Sequence, residues 1–185
     1  MGKDYQEIDD RIRRFVERQH VFFVSTAPRS DEGLINCSPK GLDSLRIIGP
    51  RQIAYADLGG SGIETVAHLK ENGRIVVMMC AFAGPPKIFR FYGQGRVLEP
   101  HEKEFSSLVG HFPELPAIRN LVVVDIARIR DSCGYGVPFH EYKGQRTSIA
   151  NWRASKSDQD LLDYRVEKNE LSLDGLPGLE VDKIN

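Results

Sequence analysis

The feature that most constrains this chain is a succession of short, β-branched apolar runs broken by Gly and Pro. The strongest lies in residues 117–130, centred on Leu121-Val-Val-Val124, and another fills residues 74–82. Shorter strands are predicted at 20–26, 34–38, 45–48 and 52–57. Ala83-Gly84-Pro85-Pro86 breaks the chain, and 87–99 resumes as a long strand with Gly93 and Gly95 as expected bulges. Helical periodicity marks 8–18, 61–72, 100–109 and 149–168, and 171–185 reads as an extended tail. Six or seven strands with no regular βαβ alternation predict a mainly β (α+β) fold, an antiparallel barrel with peripheral helices.

Composition limits what such a fold could do. With a formal net charge of −1, the chain has no global field to draw nucleic acid or an anionic membrane. Its longest apolar run, 75–83, is far too short to span a bilayer. The first residues are polar and unlike a signal peptide. Cys37, Cys80 and Cys133 form no CxxC pair, and an odd count fits a reducing cytoplasm. His68, His101, His111 and His140 show no metal-ligand spacing, so no metal site is expected, and no nucleophile–base set stands out.

The strongest chemical signal is Tyr55-Ala-Asp-Leu-Gly-Gly-Ser-Gly-Ile-Glu-Thr65. A strand ends near Asp57, glycines allow close backbone approach, and a helix is predicted from Ser61. Free amides at such a helix start attract phosphate, and Ser61 and Thr65 add hydroxyls. A second reading is open: Ser61-x-x-Glu64 is a capping box that would satisfy the same amides without a ligand. Glu64 also opposes a phosphate, so balancing cations must come from elsewhere, with Lys40 and Lys87 as candidates.

The order of these pieces resembles the pyridoxamine 5′-phosphate oxidase-like family of FMN-binding split barrels. The matching segments are Phe23-Val-Ser-Thr-Ala27, Asn36-Cys-Ser-Pro-Lys-Gly-Leu-Asp43, the 55–65 turn, His68-Leu-Lys-Glu-Asn72, Ala81-Phe-Ala-Gly-Pro-Pro-Lys-Ile88 and Tyr92-Gly-Gln-Gly-Arg96. The resemblance implies a six-stranded antiparallel split β-barrel, one FMN-binding domain over 1–185, and a homodimer with the flavin at its interface. It places Asn36, Ser38 and Lys40 on the strand beside the flavin ring. Tyr55 and Asp57 fall on the next strand, Ser61, Gly62 and Thr65 at the phosphate, and Pro86 and Lys87 at a strand start near the ring. The chain departs from the oxidases that make pyridoxal phosphate. It has Gly62-Ile63-Glu64 where they carry basic residues at the helix start, and their C-terminal Trp and Arg motif is not evident after Leu171.

The resulting expectation is a cytoplasmic FMN protein, an oxidoreductase acting on an unidentified small molecule. The alternatives are a non-catalytic flavin- or haem-type binding or sensing protein and, third, a split-barrel interaction module without cofactor. One phosphate turn and no second nucleotide fold predict that FMN, not FAD, co-purifies. Heat release followed by mass identification checks this, and recovery of FAD or of no flavin refutes it.

Overall fold

The computed structural model describes residues 2–183. Met1, and Ile184 and Asn185 at the end of the predicted tail, lie outside the described residues. One antiparallel sheet organises the chain, in the order β3-β2-β6-β7-β8-β5-β4, with β1 added against β8. The strands are β1 (Asp4–Tyr5), β2 (Phe22–Thr26), β3 (Asn36–Lys40), β4 (Leu45–Gly49), β5 (Gln52–Leu58), β6 (Arg74–Cys80), β7 (Ile88–Leu98) and β8 (Ile118–Ser132). The helices α1 (Asp10–Glu17), α2 (Glu64–Asn72), α3 (Lys103–Leu108), α4 (Ser148–Ala154) and α5 (Asp158–Asn169) lie around it. The predicted class therefore holds, with eight strands rather than six. The unforeseen β1 is a two-residue pairing with Arg130 and Ile129, too short to carry a periodic signal.

β5 and β8 show why their sequences read as continuous apolar runs. Ile53, Tyr55, Val122 and Val124 face one cluster, shared with Ile12 and Val16 of α1 and with Phe89 and Phe91. Ala54, Ala56, Leu121 and Val123 face another, closed by Phe112 and the residues around α3. Strands buried on both faces lose the polar alternation of a half-exposed strand. α1 starts where the Asp9 carboxylate accepts a hydrogen bond from the Ile12 amide at 2.8 Å.

Four departures from the predicted boundaries bear on the site. β3 runs two residues later than 34–38, because Thr26 pairs with Asn36 and Phe22 with Lys40. Leu34 and Ile35 are left exposed. α2 begins at Glu64 rather than Ser61, and its cap position, Ile63, makes no side-chain capping bond. Ile63 instead buries its side chain against Val66 and Leu179. The helix predicted over 149–168 is two helices, α5 restarting at a capping box between Ser157 and Asp160. Finally, the tail is not extended. The Ser172 amide donates to the Leu176 carbonyl and the Leu179 amide to the Asn169 carbonyl, both at 2.9 Å, which folds the tail back onto the start of α2.

The two glycines of β7 differ in role. The β7–β8 register shifts between Tyr92 and Gly93, as expected of a bulge, and a Cβ at Gly93 would overlap the Asp125 carbonyl oxygen. Gly95 pairs in regular register with Val124, so it is not a bulge. It is small because Leu69 of α2 would lie 2.8 Å from a Cβ there. Gly93→Ala is expected to cost about 2–3 kcal/mol, since the obstructing atom is backbone. Gly110→Ala, with open space around it, should stay within about 0.5 kcal/mol. Denaturant midpoints of the two variants check the contrast.

Candidate binding site

At the C-terminal end of β5 the carboxylate of Asp57 is fully buried. β3 ends beside it, and the Lys40 Nζ lies 2.6 Å from Asp57 Oδ1. β8 supplies the other partners. Arg119 Nε donates to Oδ2 at 3.0 Å and Asn120 Nδ2 at 3.2 Å. Burial alone would push this carboxyl up, but Arg119 and then Lys40 outweigh it and hold it below the ordinary carboxylate range.

Arg119 also fixes the glycine turn. Its two terminal nitrogens donate to the Gly60 carbonyl at 2.8 Å and the Gly62 carbonyl at 2.6 Å. Asn169, at the end of α5, donates to the same Gly60 carbonyl at 2.9 Å. These bonds set the backbone of the turn, and the Ser61–Glu64 capping box does not form. Glu64 Oε1 instead accepts from the Leu173 amide at 3.4 Å. Arg165, one helical turn before Asn169, has no ion-pair or hydrogen-bond partner among the described residues. Burial, reinforced by the like charges of Arg119 and Arg153, pulls its guanidinium down from its ordinary value.

At the other end of β3 a chain of hydrogen bonds runs inward. Ser38 Oγ donates to Asn36 Oδ1 at 2.9 Å, and Asn36 Nδ2 donates to Thr65 Oγ1 at 2.9 Å and Thr26 Oγ1 at 3.2 Å. The Thr26 hydroxyl in turn meets His68 Nδ1 at 2.9 Å. His68 is fully buried, and burial lowers its tendency to protonate. Among the sequence-predicted residues, Asn36, Ser38 and Thr65 therefore form one group and Lys40 and Asp57 another. Ser61 and Gly62 lie exposed on the turn between them. Tyr55 is placed in the core, edge-on to Phe22, with its hydroxyl unpartnered.

Pro86 is exposed, and Lys87 reaches Asp131 rather than the glycine turn, Nζ to Oδ2 3.0 Å. Asp131 also accepts from the Lys3 amide at 2.7 Å and the Tyr5 hydroxyl at 2.8 Å. Lys40 and Lys87 nevertheless share one space, a cavity of about 1350 Å³ between α1, the 81–87 turn and the segment 140–149. No group of three or more His, Cys, Asp or Glu among the described residues could hold a metal ion, and no described helix is long and apolar enough to cross a membrane.

Arg119, Asn120, Asn169 and the Thr26–His68 pair were not singled out from the sequence. Arg119-Asn120 did leave a signal: a charged and an amide side chain directly before Leu121-Val-Val-Val124 need buried partners. Asn169 left none.

The profile of a family described as pyridoxamine 5′-phosphate oxidase matches residues 8–133. An Aspergillus flavus protein, "Pyridoxamine 5′-phosphate oxidase family protein ustO", is 36% identical over 194 residues, covering 95% of this chain and 77% of that one. Among solved structures, HupZ of Group A Streptococcus superposes with a TM-score of 0.55 at 16% identity, over 66% of this chain and 91% of its own. A protein from Lactobacillus delbrueckii described as a putative pyridoxamine 5′-phosphate oxidase gives 0.52 at 14% identity, over 69% and 98%. At these identities the two structures speak for the fold alone.

The Asp131 cluster carries a pH signature. Burial raises its pKa, but the Lys3 amide, Lys87 and Tyr5 more than offset this and bring it to about 2. A folded value below the unfolded one contributes stability above about pH 4, and that stability is lost as pH falls toward 2. After allowance for solvent screening at the half-exposed Lys87, the contribution is about 1–2 kcal/mol. Asp131→Asn should lower stability by that amount at pH 7, with the difference from the parent shrinking between pH 4 and 2. Urea titrations across that range measure it.

Proposed function

Since this chain belongs to the pyridoxamine 5′-phosphate oxidase family, we propose that it binds FMN along β3 and acts as an oxidoreductase on a small molecule. In this reading it works as a cytoplasmic homodimer with the flavin at the interface. The observation that carries the proposal is the charge imbalance around Asp57. One buried carboxylate serves both Lys40 and Arg119, and Arg165 adds a third, unpartnered cation close to Arg119. A phosphate at the Gly59–Thr65 turn would restore the balance. The donor chemistry fits such a group: the Lys40 ammonium, the Ser61 hydroxyl and the exposed backbone of Gly62 offer donors, while the Glu64 carboxylate accepts from the Leu173 amide on one oxygen and lies against Gly62 with the other.

When bound, FMN supplies the electron-transfer chemistry. The residues of this chain would bind and orient it. Asn36, held by Thr65 and Thr26, fixes the polar edge of β3, and Ser38 extends that edge outward. Lys40 brings a positive charge to the far end of the strand, where it meets the cavity. That largely apolar, open cavity supports turnover on a second molecule over storage of a closed-in cofactor. The interface reading draws on Leu34 and Ile35, which stand exposed beside β3, a strand at the sheet edge.

Lys40→Ala should weaken FMN binding at least tenfold, whereas Lys103→Ala should change it less than twofold. Dissociation constants from flavin-fluorescence titration decide this, and equal values for the two variants would remove Lys40 from the site.

A further inference from the structure

The glycine turn is held from outside by the end of the chain. Trp152 of α4 lies against Gly59, where a Cβ would come within 3.0 Å of its ring. Asn169 Nδ2 reaches the Gly60 carbonyl at 2.9 Å, Leu179 covers Ile63, and the Leu173 amide meets Glu64. The segment that does this has little hold of its own. α4 buries no residue, and α5 buries Asn169 alone. Its firm attachment lies farther on. There Lys70 Nζ binds Glu99 Oε1 and the Gly178 carbonyl, both at 2.6 Å, and the Glu180 amide donates to Glu99 Oε2 at 2.9 Å. A segment with so few buried contacts can open without the sheet unfolding.

Asn169 is a costly residue for packing alone. It is 1% exposed, and its Oδ1 has no hydrogen-bond donor among the described residues. A buried amide with an unsatisfied oxygen loses free energy that an apolar side chain would not. What the amide supplies is direction. Across a trans peptide the carbonyl and the following N–H point opposite ways. With the Gly60 carbonyl bonded to Asn169 and Arg119, the Ser61 amide is turned away from both. Ser61 is exposed, and its amide has no acceptor among the described residues.

We propose that Asn169 is a positioning residue for the phosphate, and that the segment 148–180 is a clasp whose docking and phosphate binding favour one another. The proposal rests on the reading of the turn given above. A donor held in place before the anion arrives lowers the ordering cost of binding. By linkage, an anion that binds the clasped turn better must strengthen the clasp by the same factor.

The test compares FMN with riboflavin, the same flavin without its phosphate, on the full chain freed of bound flavin. Dissociation constants come from fluorescence titration, and clasp docking from hydrogen exchange of the amides in 170–180. In the parent, saturating FMN should slow that exchange at least fivefold and riboflavin less than twofold. Asn169→Ala should weaken FMN at least tenfold and riboflavin less than twofold, and FMN should then slow the exchange less than twofold. Glu99→Gln loosens the latch without touching the turn, and it carries the test if Asn169→Ala does not fold. It should speed exchange in the unliganded protein and weaken FMN at least threefold, with riboflavin again changed less than twofold. Asn169→Ala that binds FMN as the parent does, or that loses both flavins equally, would overturn the proposal, as would Glu99→Gln that speeds exchange without weakening FMN. A parent that prefers FMN to riboflavin while its clasp does not respond refutes this proposal alone. A parent that binds both alike, or neither, refutes the phosphate reading of the turn and the positioning role with it.

Discussion

A carboxylate with no solvent access is tolerable only if its surroundings replace water, and Asp57 shows what that replacement entails. Lys40 comes from β3, Arg119 and Asn120 from β8, and Asp57 itself from β5. The three strands are thereby tied at one point by charge as well as by backbone pairing. Taking away one partner of such a buried pair typically costs about 3–5 kcal/mol, because the other charge is stranded. Arg119 passes the constraint on, since the same guanidinium sets the Gly60 and Gly62 carbonyls. One guanidinium thus links the buried charge to the backbone of the turn.

β3 connects the two polar groups of the site. It is a five-residue edge strand with Asn36 at one end and Lys40 at the other, roughly 13 Å apart at ordinary strand rise. The Asn36 end is anchored on Thr65 and, through Thr26, on a buried histidine, so it is held by neutral hydrogen bonds. The Lys40 end is held by charge and opens on the cavity. A ligand lying along the strand would therefore meet neutral donors and acceptors first and a cationic field last.

The architecture was legible in the sequence wherever a residue's role was local. Apolar runs located every strand except β1, and the glycine turn stood out by composition. The start of α2 was misread because Ser61 and Glu64 have the capping spacing, while burial of Ile63 and the pull of Arg119 on the turn are tertiary effects. The apparent tail was misread for the same kind of reason. Its glycines and prolines indicate irregular chain, and only Leu179 packing on Ile63 and Val66 shows that it is docked. In the site, Asn36, Ser38, Lys40 and Asp57 fell on a recognisable motif order. Arg119 and Asn169 act through partners roughly 60 and 110 positions away, a separation no local pattern reports.

That last separation bears on how the protein is made. Gly60 is held from one side by Arg119 and from the other by Asn169, and Leu179 then closes over Ile63. A ribosome delivers these groups in order, so the sheet can form while the glycine turn still lacks its outer clasp. The turn reaches its final shape only after the segment carrying Asn169 and Leu179 has emerged. Until then Gly60 lacks the bond from Asn169, and Ile63 lacks its cover from Leu179.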